Sequence, residues 1–332
     1  MIANKDKKSV NIILQPRLGD AILSLPAILC LQQLNIKYNR NLDIKIISTF
    51  PGLVKVIRAF NMSKTNQISI LKKTISWICP ADKAFFLAPT TKNWGFKAKE
   101  TYGLFNPFRG YVKYTHEAEY IAFDRIDKLF PSELIKYLKE NYGFSTITIS
   151  IFGICLDLGF TSEQIIDTFK FNTDIFSLKK DLTNWKPPLK QNSYIVFCME
   201  AANNKKVDED RRWNEGNYLN IAEEMYQNYE LKSVFIGLSN KFLIPEKPYF
   251  IDFRRKLNLI KLAQLLRLSK GYIGNDTGPL HLCNLMQKTS IGIYLRESTT
   301  KNFSPIFPQL NKVILKPENT DEIFSQIKFL LS

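Results

Sequence analysis

The sequence lacks several residue patterns that mark common protein classes. Its five cysteines are scattered, odd in number and without a Cys-x-x-Cys pair, so neither a disulfide framework nor a zinc knuckle is indicated. No Asp-x-Asp pair directly follows an expected strand and no His/Cys/Asp cluster has ligand spacing, so we expect no catalytic metal. The patterns GxGxxG and GxxxxGK(S/T) are both absent, which argues against dinucleotide-dependent redox chemistry and P-loop hydrolysis. We therefore expect no cofactor.

A long apolar run is absent from the start of the chain. Residues Met1–Lys8 are polar and charged, and the apolar segment Val10–Leu14 that follows is too short for a signal peptide or a membrane span. We therefore expect a cytoplasmic protein. Peripheral contact with the inner face of the cytoplasmic membrane is left open.

Acidic residues are scarce relative to basic ones, with 31 Asp and Glu against 46 Lys and Arg and a formal net charge of +15. Basic proteins often meet nucleic acids or anionic membranes. The basic residues are dispersed, however, and no helix-turn-helix, RNP-type or zinc-finger pattern places them in a groove. The charge therefore suggests steering towards an acidic lipid surface or an acidic acceptor, and we expect no nucleic-acid partner.

The chain does contain two stretches in which strands and helices alternate. Its 332 residues, 45% of them hydrophobic, suffice for two cored domains. The first third is expected to contain a strand, a helix, a strand and a helix, at Val10–Gln15, Ala21–Leu34, Asp43–Thr49 and Pro51–Phe60. This order predicts a parallel sheet. The alternation restarts at Tyr194, which predicts a second doubly wound α/β sheet.

The domain boundary is expected in a polar segment that contains Trp185-Lys186-Pro187-Pro188. We accordingly divide the chain into residues 1–180, a linker at 181–193 and residues 194–332. The final amphipathic segment, Thr320–Leu331, could pack against either half. Residues Pro89–Tyr114 are rich in aromatics, lysines and glycines, so we expect them to form a ligand-facing loop region rather than core elements.

The most informative motif is Gly274–Leu282 (GNDTGPLHL), which follows an apolar run and precedes an expected helix. Its two glycines would allow close backbone approach and unusual dihedral angles, and Asp276 and Thr277 could cap the helix. The start of such a helix presents N–H groups to a phosphate. His281 could donate to a phosphate oxygen or be structural. A diphosphate-bearing ligand is the first hypothesis.

A carboxylate follows the first expected strand, in the segment Arg17-Leu18-Gly19-Asp20. A compact loop there would aim Asp20 into a cleft, where it could accept a proton from an attacking hydroxyl. It could equally be the N-cap of the next helix. Ligands bind at the carboxyl ends of parallel strands. One interdomain cleft is therefore expected to collect the loops after Gln15, Cys198, Ile236 and Gly274.

Two adjacent arginines, Arg211 and Arg212, precede Trp213 in the second half of the chain. They could form charge-assisted contacts with a leaving diphosphate. The alternative is a solvated charged loop. Only their expected position at the cleft favours the functional interpretation.

Three motifs in this order resemble the heptosyltransferases of glycosyltransferase family 9, which act in lipopolysaccharide assembly. The motifs are Arg17-Leu18-Gly19-Asp20 with Leu25-Pro26-Ala27, Arg211-Arg212-Trp213, and Asn275–His281. The resemblance implies a GT-B fold, in which two facing Rossmann-like domains enclose a cleft. Residues 1–180 would then bind the acceptor and residues 194–332 the nucleotide-sugar donor. It also implies metal-independent, inverting transfer of heptose from ADP-heptose to a lipid A core acceptor.

The resemblance also implies roles for individual residues. Asp20 would be the general base, with Arg17 and Gly19 on the acceptor side. Arg211 stands where the family has a phosphate-binding lysine. The ammonium of lysine is a point charge, whereas the guanidinium of arginine is a planar fork of N–H donors. The family's donor-binding residues fall on Asp276, Thr277, Gly278 and His281.

The chain departs from the family at two segments that border the donor. Met199-Glu200-Ala201-Ala202 replaces the usual Pro-Gly turn, and Tyr294-Leu295-Arg296 replaces an aromatic-Gly pair. These changes leave open a different sugar or nucleotide, or a noncatalytic nucleotide- or glycan-binding protein that retains the fold. A nucleic-acid-associated protein is a third hypothesis, for which only the charge argues.

Overall fold

The computed structural model describes residues 8–14, 17–48, 51–60, 81–87, 98–104, 111–113, 130–178, 181–201 and 211–332. The chain divides into two compact units, Met1–Ser177 and Leu178–Ser332. Each unit contains its own sheet. The acceptor and donor roles assigned to the two halves stay predictions.

The first unit is built on a five-stranded sheet with the order β2-β1-β3-β4-β5. Its strands are β1 (Lys8–Ile13), β2 (Leu42–Ile47), β3 (Ala81–Phe86), β4 (Ala98–Leu104) and β5 (Tyr111–Lys113). All neighbours pair in parallel except β4 and β5, which are antiparallel. The predicted parallel sheet is confirmed. The prediction of loops throughout Pro89–Tyr114 is wrong, because this region contains β4 and β5; its other residues, Tyr114 included, lie outside the described ones.

Seven α-helices accompany this sheet among the described residues of the first unit: α1 (Leu18–Leu23), α2 (Leu25–Lys37), α3 (Pro51–Ala59), α4 (Ser132–Tyr142), α5 (Thr146–Ile151), α6 (Gly153–Asp157) and α7 (Ser162–Thr168). A 3₁₀ turn follows at Thr173–Phe176. By length and composition, Leu18–Lys37 could cross a membrane, and so could the pair formed by Thr146–Asp157 and Ser162–Thr168, which is bent by 113°. The apolar stretch within Leu18–Lys37 is 72% buried inside the protein, as is usual for a core helix.

An aromatic cluster packs the later helices of the first unit together. Tyr142 at the end of α4 stacks on Phe144, and Phe152 meets Phe169 edge-on at 5.1 Å between centroids. Phe171 extends the cluster, with its ring 5.0 Å from that of Phe144. Such aromatic pairs add about 0.5–1.5 kcal/mol each beyond the burial of their area. Phe152 also separates α5 from α6.

Asp82 fastens β3 to its neighbours, and its effect on stability should depend on pH. It accepts hydrogen bonds from Lys99 Nζ (2.7 Å), Ser9 N (2.9 Å) and Ser9 Oγ (3.0 Å). The Lys99 bond first, and then the Ser9 bonds, lower the pKa of Asp82 to about 2. The unfolded carboxyl titrates near ~3.9. The stabilisation is therefore present above pH ~4 and is lost as the pH falls towards ~2.

We expect Asp82→Asn to lower the free energy of unfolding by about 1 kcal/mol at pH 7, because solvent screening limits such pairs. The difference from the wild type should shrink between pH 5 and pH 3. Urea denaturation across that range measures it. A difference that grows on acidification would contradict this assignment.

The second unit contains a fully parallel six-stranded sheet with the order β11-β10-β9-β6-β7-β8. Its strands are β6 (Tyr194–Cys198), β7 (Lys232–Phe235), β8 (Phe250–Asp252), β9 (Gly271–Asn275), β10 (Ser290–Tyr294) and β11 (Asn311–Leu315). This is the strand order of a Rossmann sheet, 3-2-1-4-5-6. The predicted second doubly wound sheet is confirmed.

Six α-helices occur among the described residues of the second unit: α8 (Glu215–Tyr229), α9 (Leu259–Leu268), α10 (Gly278–Leu285), α11 (Glu297–Asn302), α12 (Asp321–Phe324) and α13 (Ile327–Leu331). A 3₁₀ turn lies at Pro308–Leu310. The final segment thus forms two short helices rather than one. Ile323, Ile327 and Leu330 are buried in the core of the second unit with the strands β6, β9 and β10.

The segment expected to be a linker packs on the second unit. Asp181 pairs with Arg267 on α9 and with Lys186. The Leu182 N–H donates to Gln264 Oε1 at 3.3 Å. These contacts fix the described part of the segment, residues 181–193, against α9.

Candidate functional site

The strand order of the second unit defines where a ligand would bind. From β6 the chain passes outward through β7 to β8, and it then crosses to β9 on the other side of β6. The strand order therefore reverses between the neighbours β6 and β9, which pair with Cys198 opposite Gly274. In doubly wound sheets, ligands bind at such a switch point, beyond the carboxyl ends of the strands. The residues at issue are therefore those that follow Cys198 and Gly274.

Gly274 is required by close packing rather than by its dihedral angles. A Cβ atom at this position would lie 2.4 Å from Tyr272 Oη and 2.7 Å from Cys198 O. Among the described glycines, positive φ occurs at Gly143, Gly159 and Gly237. The expectation of unusual dihedral angles at the two motif glycines is therefore wrong, whereas close backbone approach is observed at Gly274.

Substitution Gly274→Ala should therefore destabilise the second unit by about 1–3 kcal/mol, the usual cost of overpacking. Because Tyr272 Oη is the atom nearest to the new methyl group, the added change Tyr272→Phe should recover part of the loss. Urea denaturation of both variants measures this. An alanine variant as stable as the wild type would contradict the packing argument.

Asn275 is fully buried and connects the segments that form the site. Its Oδ1 accepts hydrogen bonds from the Tyr218 hydroxyl (2.9 Å) and Trp213 N (3.2 Å), and its Nδ2 donates to Met199 O (2.9 Å). One side chain thus ties β9 to the loop after β6, to helix α8 and to the segment that begins at Arg211. Asn275 belongs to the third motif, but its place in the sequence does not indicate this role.

Arg211 and Asp276 form the charged centre of the site. Arg211 Nη2 donates to the Asp276 carbonyl oxygen at 3.0 Å and to Asp276 Oδ2 at 3.1 Å. Their side chains are 21% and 10% exposed. The guanidinium supplies the cation that the carboxylate needs if an anionic ligand is to approach, and the two predicted residues are brought together.

Trp213 holds this segment in place, and Arg212 lies over an aromatic ring. The Trp213 indole donates to Pro317 O at 3.0 Å and meets Tyr218 edge-on. The Arg212 guanidinium lies over the ring of Phe242, 5.7 Å from its centroid. The two arginines therefore have different surroundings. Asp210, which precedes them, lies outside the described residues.

Helix α10 begins beside the Arg211–Asp276 pair. Thr277 occupies the N-cap position, but its hydroxyl bonds to Asn275 O (3.2 Å) instead of capping the helix. The expectation that Asp276 and Thr277 cap the helix with their side chains is therefore wrong for both. The helix starts with Gly278 and Pro279. Pro279 has no N–H, and Leu280 N donates to Thr277 O at 3.0 Å, so within the first turn Gly278 supplies the N–H that has no acceptor in the helix. This leaves a positive helix end next to a guanidinium.

His281 and Tyr294 are buried at the same site with unpartnered atoms. His281 Nε2 lies 3.6 Å from Asp276 Oδ1. Its Nδ1, like the Tyr294 hydroxyl, has no hydrogen-bond partner among the described residues. Burial raises the pKa of Tyr294 well above its usual value, with Asp276 adding to the rise. Buried groups of this kind in a site are candidates for ligand contact.

Cys198 ends β6 beside Thr277, whose hydroxyl lies 4.0 Å from the sulfur. Burial raises the pKa of this thiol to about 11, so it is protonated at neutral pH and is a poor nucleophile. Among the residues that the structure describes, no group of three His, Cys, Asp or Glu side chains is placed to hold a metal ion. Metal independence stays a prediction.

Comparison with known proteins identifies the family. Residues 163–328, half of the chain, match the sequence model of glycosyltransferase family 9 (heptosyltransferase). The chain belongs to glycosyltransferase family 9. It is therefore a glycosyltransferase of the heptosyltransferase family. A search of curated proteins finds no match.

Solved structures of family 9 proteins share the fold. E. coli ADP-heptose LPS heptosyltransferase II is 12% identical, with 97% of this chain and 98% of that chain covered and a TM-score of 0.61. The family 9 glycosyl transferase of Veillonella parvula is 16% identical, with 98% of each covered and a TM-score of 0.62. E. coli heptosyltransferase WaaC with ADP is 12% identical, with 97% and 99% covered and a TM-score of 0.57. The fold of the chain is thus GT-B, with two Rossmann-like domains.

The first family 9 motif lies in the first unit, on helix α1. Arg17 is the exposed N-cap residue, Gly19 is half-buried, and Asp20 is a half-buried acid in the first turn. The alternative that Asp20 is the N-cap is therefore wrong, and so is the expectation of a loop, because the helix begins at Leu18. An acid in the first turn interacts favourably with the helix dipole. The approach of Asp20 to the second-unit site stays a prediction.

The chain's departure from the family after β6 has a structural role. Glu200 Oε2 accepts a hydrogen bond from Leu238 N (2.7 Å), and its Oε1 accepts one from Ser239 N (2.6 Å). A Cβ atom at Gly237, whose φ is +155°, would lie 2.5 Å from Glu200 Oε1. Glu200 thus ties the loop after β6 to the loop after β7.

Proposed function

We propose that this enzyme transfers a heptose-type sugar from a nucleotide-diphosphate donor, ADP-heptose being the expected one, to an acidic lipopolysaccharide core or lipid A acceptor. The proposed transfer inverts the anomeric centre and needs no metal ion. Family membership supports the donor class, and the similar protein WaaC is described with ADP. The basic charge of the chain, +15, supports an acidic acceptor through electrostatic steering.

The observation that carries the proposal is the position of Arg211. The carboxylate and carbonyl of Asp276 hold its guanidinium beside the first turn of α10, at the switch point of a Rossmann sheet. A diphosphate bound there would meet a fixed cation and the positive end of a helix. Preorganised positive charge is what a leaving diphosphate requires when no metal compensates its charge.

The proposed reaction has one displacement step. Asp20 accepts the proton of the acceptor hydroxyl, whose oxygen attacks the anomeric carbon as the bond from that carbon to the diphosphate oxygen breaks. Attack from the face opposite the leaving group inverts the configuration. The electron pair of the broken bond leaves with the nucleotide diphosphate, whose negative charge Arg211 and the start of α10 would stabilise.

The acceptor also implies a location. A nucleotide-sugar donor and a lipid-linked acceptor meet where the cytoplasm touches the inner face of the cytoplasmic membrane. We therefore propose a cytoplasmic protein with peripheral contact at that surface. Fractionation of cells that express the tagged chain at its natural level tests the proposal.

Transfer assays test the function directly. The purified full-length protein is incubated with ADP-heptose, UDP-, GDP- and other ADP-sugars, each with a truncated acidic core acceptor, and products are identified by mass spectrometry. We expect transfer from ADP-heptose, undiminished by EDTA, and an inverted anomeric configuration by NMR. Donor hydrolysis or transfer that requires a divalent ion would contradict the proposed mechanism.

The noncatalytic alternative keeps one structural observation in its favour. Glu200 occupies the segment where the family has a Pro-Gly turn. Its carboxylate accepts hydrogen bonds from two backbone N–H groups on the side of the sheet where the nucleotide sugar is expected. Under this alternative, calorimetry would show nucleotide binding while no acceptor in the panel is glycosylated. Salt-sensitive nucleic-acid binding without nucleotide-sugar affinity would instead favour the third hypothesis.

A further inference from the structure

The loop that follows β7 exposes two leucines. In this leucine loop, residues Gly237–Ile244, Leu238 is 76% exposed and Leu243 is 88% exposed. They are the two most exposed large hydrophobic side chains in the described part of the chain. Single exposed apolar residues are ordinary, but two on one short loop mark a candidate contact surface.

Protein groups hold the backbone of the leucine loop on both sides of Leu238 and directly before Leu243. Glu200 accepts from the N–H groups of Leu238 and Ser239, and Arg255 N donates to Gly237 O at 2.8 Å. Arg254 Nη1 donates to Phe242 O at 2.6 Å. These backbone groups need no water, which lowers the cost of bringing the loop into an apolar environment.

The stretch that contains the leucines exposes more basic residues than acidic ones. Residues 237–256 include five basic side chains and two acidic ones. Of the two acids, Asp252 pairs with Arg254, and Glu246 is the only other acid in this stretch. Three of the basic residues are exposed, namely Lys241, Arg255 and Lys256. Exposed basic side chains are attracted to an anionic bilayer.

We propose that the leucine loop is a membrane-binding element, whose two leucines enter the interfacial region of an anionic lipid bilayer while the neighbouring lysines and arginines contact lipid phosphates. A combination of apolar burial and basic charge is what stable peripheral binding requires. The occupant is a lipid surface rather than a second copy, because a second copy would bring the same positive loops together. The proposal deepens the proposed function, on which its link to a lipid-borne acceptor rests.

Vesicle binding tests the proposal without any transfer reaction. The full-length protein is sedimented with phosphatidylcholine vesicles and with vesicles that contain phosphatidylglycerol. The variants are Leu238→Ser/Leu243→Ser, Lys241→Gln/Lys256→Gln, and Ile36→Ser as a matched control, since Ile36 is 70% exposed on α2 of the first unit. We expect binding to anionic vesicles that falls at least tenfold in both loop variants and is unchanged in the control.

Each other outcome overturns the proposal. Equal loss in the Ile36→Ser control would show a general effect of surface hydrophobicity, and unchanged binding of the leucine variant would show attraction by charge alone. A wild type that does not bind anionic vesicles would show that the loop is not a membrane-binding element. A dimer in light scattering that the leucine variant abolishes would assign the loop to a second copy of the chain. Vesicle binding is measured without donor or acceptor, so loss of the transferase proposal and loss of the membrane proposal remain distinguishable.

Discussion

Replacement of Asp20 by asparagine is expected to lower kcat for sugar transfer by about 10²–10⁴-fold, the usual contribution of a general base. The amide keeps the shape of the side chain but cannot take the proton of the acceptor hydroxyl. The KM for the donor should change little, because the proposed diphosphate contacts come from Arg211 and α10. Single-turnover transfer with saturating donor measures the chemical step separately from product release.

The matched control is Asp43→Asn, the same substitution on a half-buried carboxylate of the first unit. Asp43 lies near the start of β2, beside Ser9 of β1, and so at the amino edge of the sheet. Helix α1 follows the opposite, carboxyl edge. We expect the control to retain transfer. An Asp20 variant that transfers sugar within threefold of the wild-type rate would remove this residue as the base.

The central strands of the second sheet were predictable from the sequence, whereas its two edge strands were not. Strands buried on both faces, such as β6 and β9, appear as short continuous apolar runs. At the edges, β8 has three half-buried residues and β11 exposes three of its five. Their patterns therefore resemble those of loops. Strand β4, with the sequence AKETYGL, is too polar to show as a strand without its neighbour β3.

The charged residues of the site were predictable, whereas their supports were not. Arg211, Asp276 and His281 belong to recognisable motifs, and the structure brings them together. The partners of Asn275 are Met199, Trp213 and Tyr218, which are 57 to 76 positions away in sequence. Their meeting depends on the register of β6 against β9, which composition and spacing do not determine.

The pairing of Arg211 with Asp276 makes a prediction that separates stability from catalysis. In Arg211→Ala, a carboxylate that is only 10% exposed loses its ion-pair partner, and breaking a buried pair in this way costs about 3–5 kcal/mol. The same variant loses the proposed contact to the leaving diphosphate. We expect kcat/KM for the donor to fall at least about 10²-fold, in line with removal of one preorganised donor.

Arg211→Lys is the conservative comparison, because the resemblance places a lysine here in the family. Lysine keeps the positive charge but loses the planar guanidinium, whose Nη2 donates to both the carbonyl and the carboxylate of Asp276. We therefore expect an intermediate variant, within about tenfold of the wild type in kcat/KM and more stable than Arg211→Ala. An alanine variant as active as the lysine variant would show that charge at this position is not used.

The double variant Arg211→Ala/Asp276→Asn decides between a structural and a functional role for the pair. Removing the carboxylate also removes the uncompensated buried charge, so the double variant should be more stable to urea than Arg211→Ala alone. Its donor kcat/KM should nevertheless stay at least about 10²-fold below the wild type, because the cation that faces the diphosphate is still missing. If activity returned together with stability, Arg211 would serve only to neutralise Asp276, and the phosphate contacts would have to come from the start of α10 and its neighbours.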